Sequence, residues 1–365
     1  MSLITFLTRV HFADRVLEDA LPEAMRRLRV RRPMLITDGD ASDLPVVGRL
    51  RDALPEGSSL ITFPTLPGRA LEGRLSAANS TFKLGDADSL ICLGGKTAMD
   101  FARVLAAMVS SSDGLKKPRP LISIPTSIAN VGLGPVHFPN SDLVADGPGH
   151  RASNRVALPS AILCDATLTM DTEKSALAAH GFRALTHCIE AFLATAFNPP
   201  ADGIALEGIR RSALYLERAV HNNRDLDAHR ELLAVALNAG LAAQKGFGGA
   251  EALVCATEDE GVAEGSAGAV YPAIIRPVLA FNEPAVGGRY DRIGEAMHLP
   301  AKMPVAEGVS TIARKVGLPE RLKPLRLQPH QIDRVARRAA ANPANRTNPR
   351  HATHSDYRMF LEAAM

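Results

Sequence analysis

The chain has no tryptophan and few aromatics, 4% of its residues, so no indole is available to report a bound ligand. Cysteine is scarce as well. Cys92, Cys164, Cys188 and Cys255 are scattered, without the close paired spacing of zinc or dithiol sites. Cys92 and Cys164 lie inside apolar runs, where a free thiol behaves as a small hydrophobe, and this suits a reducing compartment. No apolar run approaches the roughly 20 residues that span a bilayer. The opening Met1 to Phe6 lacks the basic and then apolar pattern of a secretory leader. Net charge is +3 over 365 residues, too small an excess to argue for nucleic acid or an anionic membrane. The densest basic stretch (Arg26, Arg27, Arg29, Arg31 and Arg32) reads better as a solvated helix end than as a polyanion patch. Repeats and low-complexity segments are absent. These exclusions leave a cytoplasmic protein acting on a small molecule, with neither nucleic acid nor membrane as partner.

What is present is globular: 46% hydrophobic and 22% charged residues, on a chain long enough for two cores. The first half alternates short apolar runs with helical patterns. Pro33 to Asp38, Ser58 to Phe63, Ser89 to Leu93, Leu121 to Ile124 and Ala161 to Cys164 read as strands. Their near-continuous hydrophobicity suits strands buried on both faces of a parallel sheet. Asp14 to Leu28 and Thr97 to Met108 carry apolar residues at helical spacing. This alternation predicts a doubly wound, Rossmann-like α/β domain over residues 1–166. Beyond it, Ala/Leu-rich helical patterns dominate: Thr172 to Ala194, Ala201 to Asn222, Asp227 to Gln244, Val305 to Val316 and Gln331 to Ala341. Residues 167–365 are expected to form an all-helical domain.

Strand-like Leu90 to Leu93 runs into Gly94, Gly95, Lys96 and Thr97, and a helical pattern follows. Glycines at such a turn let backbone approach a ligand. A helix start offers unpaired N–H groups and partial positive charge, which suit a pyrophosphate. Thr97 can bond a phosphate or cap the helix, and Lys96 adds a cation. A ligand-free Gly-Gly turn fits about as well. Asp38 ends an earlier strand, where a carboxylate commonly accepts from an adenosine ribose; alone, it reads sooner as a turn or N-cap residue. Beside the Gly94 turn the ribose role gains, and a carboxylate there favours NAD over NADP.

Several segments, in order along nearly the whole length, resemble the iron-containing alcohol dehydrogenase superfamily, which includes maleylacetate reductases and, remotely, dehydroquinate synthase. Gly94 to Asp100 is similar to the family's Gly-Gly-Gly-Ser-x-x-Asp loop, with Lys96 at the third glycine. Pro125-Thr126-Ser127 resembles its nucleotide-contacting Pro-Thr-Thr, and Ile128 to Gly132, with Asn130, departs from the usual Ala-Gly-Thr-Gly-Ser. Asp165 to Thr169 resembles the domain junction. Gly181 to Ala191, Gly-Phe-Arg-Ala-Leu-Thr-His-Cys-Ile-Glu-Ala, resembles the most specific signature, and Thr347 to Arg350 resembles the family's C-terminal segment. The resemblance implies NAD as cofactor, a homodimer, and a nucleotide site made by Asp38, Gly94, Gly95, Lys96, Thr97, Asp100, Thr126, Ser127 and Asn130.

It also implies a divalent metal held by an Asp and a His one helical turn apart and by two later histidines. Here His187 is present, but Arg183 stands at the Asp position, and a guanidinium cannot ligate a cation. The later positions fall near Ala252 to Val254 and near Gly268, and no histidine occurs between His229 and His298. Glu258, Asp259, Glu260 and Glu264, with Cys255, could form a substitute oxygen site, but an acidic solvated loop is the better reading. No metal is therefore expected. The leading expectation is a metal-independent NAD(H)-linked oxidoreductase acting on a small carbonyl or alcohol, an anionic one by weak preference. Arg183 or His187 would carry the oxyanion stabilisation that a metal otherwise supplies, with His187 also able to act as acid or base. Structural roles stand beside these: a core histidine, and an Arg183 salt bridge to a buried carboxylate such as Glu190. Maleylacetate reductases, understood to work without metal, are a partial precedent. A non-redox lyase or cyclase and a catalytically silent nucleotide-binding protein are the alternatives.

Overall fold

A computed structural model describes residues 4, 8–39, 45–65, 71–114, 118–139, 156–262, 267–323 and 327–365. The chain divides into two compact units, one within Thr5–Asp171 and one within Thr172–Met365. Among the described residues no helix is long and apolar enough to cross a membrane.

The first unit runs β1 (Arg9–Phe12), α1 (Leu17–Leu28), β2 (Pro33–Asp38), α2 (Pro45–Asp52), β3 (Ile61–Thr65), α3 (Leu71–Leu84), β4 (Ser89–Gly94), α4 (Lys96–Ser112), β5 (Leu121–Pro125) and β6 (Ala161–Cys164). The strands pair in parallel, in the order β1-β6-β5-β4-β2-β3. Alternate residues serve opposite faces. Met34, Ile36, Leu90 and Cys92 pack with α3 and α4, whereas Leu35, Ile91 and Leu93 pack with α1 and α2. Burial on both faces is why these strands are apolar throughout. Edge strand β1 was not legible: Arg-Val-His-Phe is half exposed and carries too little hydrophobic signal. After β2 the chain goes to β3 on one side, and after β4 it goes to β5 on the other. The carboxyl ends of β2 and β4 therefore flank the switch point where such sheets bind ligands.

The second unit is helical: α5 (Lys174–Leu193), α6 (Pro199–His221), α7 (Leu226–Ala242), α8 (Gly249–Asp259), α9 (Ala267–Val286), α10 (Arg289–Ala296), α11 (Val305–Lys315), α12 (Pro329–Ala341) and α13 (His354–Ala364). Helix α5 is its axis, buried along most of its length from Leu177. A Cβ at Gly208 would run into Cys188 Sγ, so the glycine lets α6 pack closely on α5.

Helices α8 and α9 are among those that the helical patterns of the sequence did not single out. Helix α9 contains Pro272, Pro277 and Pro284, which ordinarily end a helix, yet Tyr271, Ile274 and Val278 anchor it in the core. Helix α8 begins at a Gly-Gly pair and takes its caps from distant residues. Glu258 and Asp259 thus end a helix rather than form a solvated loop. Glu260, its side chain 2% exposed, is ion-paired to Arg334 at 2.6 Å and Arg338 at 2.5 Å on α12. Glu264 lies outside the described residues.

Candidate active site

At the switch point Asp38 reaches across from β2 to the start of α4. Its carboxylate accepts from the Gly95 N–H at 2.5 Å and the Ala98 N–H at 2.9 Å. A Cβ at Gly94 would stand 2.7 Å from Asp38 Oδ2 and 2.9 Å from Ala98 Cβ, so glycine is what permits this approach. Asp38 is therefore a helix cap in this structure. Each of its oxygens still has acceptor capacity, which leaves room for a ribose hydroxyl. Ser127 lies against the same turn, and the Thr126 N–H donates to the Gly94 carbonyl at 3.0 Å. Gly94, Gly95, Thr97, Thr126 and Ser127 are thus brought together at the ends of β4 and β5, with Thr97 exposed on the first turn of α4.

Lys96, Asp100 and Asn130 do something else. Lys96 Nζ bonds Asp100 Oδ2 at 3.0 Å and the His137 carbonyl at 3.3 Å. Asn130 Nδ2 donates to the other Asp100 oxygen at 2.8 Å, and its own Oδ1 accepts from the Gly132 N–H, also at 2.8 Å. Asp100 is fully buried. These three hold the loop after β5 in place.

In the helical unit a buried cluster forms around Glu251, in the first turn of α8. His187 Nε2 lies 2.9 Å from Glu251 Oε2 and 3.1 Å from the Tyr271 hydroxyl. Tyr271 donates to the same carboxylate oxygen. Since the tyrosine's one proton is used there, the His187–Glu251 contact requires a proton on Nε2. Arg183 Nε, 3.5 Å from that nitrogen, is then a neighbouring cation and not a donor to it. Its Nη2 stands 4.0 Å from Glu251 Oε1, and Cys255 Sγ is 3.7 Å from the same oxygen. Phe247 stacks on the imidazole with centroids 4.3 Å apart. Burial pushes the Glu251 carboxyl up, but His187, Arg183 and Tyr271 together outweigh it and hold it well below the usual range. Burial, with the Glu251 charge adding to it, pushes the Tyr271 phenol far up.

Glu190, the carboxylate considered for Arg183, caps helix α8. Its carboxylate accepts from the Ala250 N–H at 2.7 Å and the Glu251 N–H at 3.1 Å, while Asn348 Oδ1 accepts from the Gly249 N–H at 3.1 Å. Together they satisfy three of the orphan amides of α8. The two signatures that looked most specific, around residues 181–191 and 347–350, therefore meet at one helix start and orient Glu251. Burial, opposed by these N–H groups and reinforced by the Glu251 charge, raises Glu190 to about 8.

Two family profiles match the chain: iron-containing alcohol dehydrogenase over residues 8–131, and the C-terminal part of the Fe-containing alcohol dehydrogenase family over residues 177–365. The chain belongs to the iron-containing alcohol dehydrogenase family. It is 30% identical to a 4-hydroxybutyrate dehydrogenase from Cupriavidus necator, over 100% of both chains. It is 26% identical to maleylacetate reductase 2 from Cupriavidus pinatubonensis, over 95% of this chain and 91% of that one. In fold it is similar to sulfoacetaldehyde reductase from Bifidobacterium kashiwanohense in complex with NAD+, with a TM-score of 0.85 at 18% identity, covering 100% and 98% of the chains. Membership makes this iron-containing alcohol dehydrogenase relative an oxidoreductase, and NAD is consistent with its homologues.

The residues present do not fit the family's metal. Arg183 fills the acidic position, the His187 Nε2 proton is spent on Glu251, and Glu251 Oε2 already accepts from both His187 and Tyr271. At Gly268 a Cβ would lie 2.9 Å from Ala179 Cβ and 3.2 Å from its carbonyl, leaving no room for a ligating side chain. The window Ala252 to Val254 falls one residue short of the side chain that matters, Glu251. Glu251 and Tyr271 are the site residues that sequence reasoning missed. One signal pointed to Glu251: an acid among the small apolar residues Gly249 to Ala256.

Proposed function

We propose that the chain is a metal-independent, NAD(H)-linked oxidoreductase that interconverts a short ω-hydroxy acid and its aldehyde. The observation that carries this reading is the cation–imidazole pair of Arg183 and His187, backed by the buried Glu251 carboxylate where the family's metal chemistry would otherwise lie. The full-length likeness to a 4-hydroxybutyrate dehydrogenase supports an acid-bearing substrate. Asp38, Gly94, Gly95, Thr97, Thr126 and Ser127 are the residues proposed to hold the nucleotide.

When bound, NADH supplies a hydride to the carbonyl carbon. As the C=O pair moves onto oxygen, Arg183 stabilises the developing negative charge. His187, protonated on both ring nitrogens, then delivers its Nδ1 proton to that oxygen, giving the alcohol, while the Nε2 proton stays hydrogen-bonded to Glu251. Glu251 holds the imidazole ring through its Nε2–H, and Tyr271 fixes the carboxylate. The same reading takes the protein to be a cytoplasmic homodimer, the latter checked by light scattering.

NADH oxidation with succinate semialdehyde, butanal and acetone, with and without EDTA, tests it. Turnover should be highest with the semialdehyde and unchanged by the chelator. Loss of activity in EDTA sinks the metal-independent reading, and no turnover with any carbonyl sinks the redox reading.

A further inference from the structure

Helix α9 carries Tyr271 into the Glu251 cluster, and with α11 and α13 it also lines a cavity of about 670 Å³ that shares no residue with that cluster. Its walls mix polar side chains with apolar ones, Pro277, Phe281 and Phe360 among the latter, and Met359 remains 51% exposed at the side. Four arginines line it from separate parts of the fold: Arg276, Arg314, Arg321 and Arg350.

Their partners are informative. Arg314 is neutralised by Glu320 at 3.0 Å. Arg321 donates to the Ala363 carbonyl at 3.1 Å, and Arg350 lies 4.1 Å from the centroid of the Phe281 ring and donates to the Phe281 carbonyl at 3.4 Å. Those contacts fix the guanidinium planes without cancelling their charge. Arg276 has no ion-pair or hydrogen-bond partner among the described residues. Ser310 also lines the cavity, is 4% exposed, and its hydroxyl has no partner among the described residues. Three like charges without carboxylate partners around one concavity repel one another, and the Ser310 hydroxyl keeps an unused donor there. A single ligand relieves both: an oxyanion bridging the guanidinium forks and accepting from Ser310, with an apolar body against Phe281 and Phe360. A singly charged carboxylate would offset one of the three charges, a doubly charged phosphate two.

We propose that this cavity is a binding site for a small phosphate monoester with an apolar body. The size lies in the range of small-molecule pockets. The test is calorimetric titration of the whole protein, with saturating NAD+ present so that the nucleotide turn does not compete. Hexyl phosphate, hexanoate, hexanol and inorganic phosphate are the probes. Hexyl phosphate should bind one per chain, about tenfold or more tighter than the other three, and weaken as salt rises. Arg276→Gln, at an exposed residue without partners, should weaken it about tenfold, and Ser310→Ala should weaken it less, with the thermal midpoint unchanged in Arg276→Gln. Equal affinity for hexanol or inorganic phosphate, or hexyl phosphate affinity indifferent to Arg276→Gln, overturns the proposal.

Discussion

In the α/β unit, Asp38 stands exposed at the end of β2 and ties down the backbone at the start of α4. In the helical unit, Arg183, His187, Glu251 and Tyr271 come from three helices; the last three are buried against one another, with the partly exposed Arg183 beside them. Losing a group of the first kind leaves backbone that water can solvate. Losing one of the second kind strands a charge in the core. The two regions should therefore answer substitution differently, in size and in kind.

The sharpest contrast lies at Glu251. Glu251→Ala leaves Arg183 and His187 without their carboxylate and should destabilise the protein by ~3–5 kcal/mol, read in urea unfolding. A loss below 1 kcal/mol would mean the cluster is solvated like an ordinary surface network. Arg183→Ala comes next. It should lower kcat/KM by ~10²-fold while leaving NADH affinity nearly intact, as shown by NADH's own fluorescence. Arg183→Lys should recover little, because an ammonium lacks the planar fork. Parent-like activity in Arg183→Ala would make the residue structural.

Titration offers a third way to separate the regions. Glu190 is raised from its ordinary 4.5 to about 8, so the folded state holds the extra proton between those values. Stability from this group is present at low pH and falls as pH rises. His180 is pushed down to about 4 by burial and by Arg183, so its contribution is intact above 6.5 and is lost as pH falls toward 4. Between pH 6.5 and 8 Glu190 acts alone of the two, and stability should decline by up to ~2 kcal/mol. Glu190→Gln should flatten that slope; an unchanged slope assigns it elsewhere.

Smallest is Asp38→Ala, which removes a cap and should cost ~1 kcal/mol, with the NAD over NADP preference narrowed. An unchanged cofactor ratio would confine Asp38 to the cap role.

Much of the fold was legible because buried parallel strands must be apolar and because a Gly-Gly turn before a helix has a restricted set of uses. The five expected strands are present, with Pro33–Asp38 and Ala161–Cys164 at the expected bounds. Position Arg183 was equally plain, since the resemblance puts a metal-ligating acid where this chain has a guanidinium, which cannot ligate a cation. Helices α8 and α9 were not legible. Glycines open one and prolines interrupt the other, and both are held by partners 60 or more residues away, such as Glu190 to Ala250.

Local patterning was enough to give the α/β segments before the helical ones, the Gly-Gly turn ahead of α4, and Arg183 one helical turn before His187. Tertiary structure alone decided that Arg183 faces Glu251 rather than Glu190, that Tyr271 joins them, and that Lys96 turns onto Asp100. The physical reason is one of range. Propensity and hydrophobic period act over a few residues, whereas the partner of a buried charge is chosen by whichever distant group packing brings within hydrogen-bond reach.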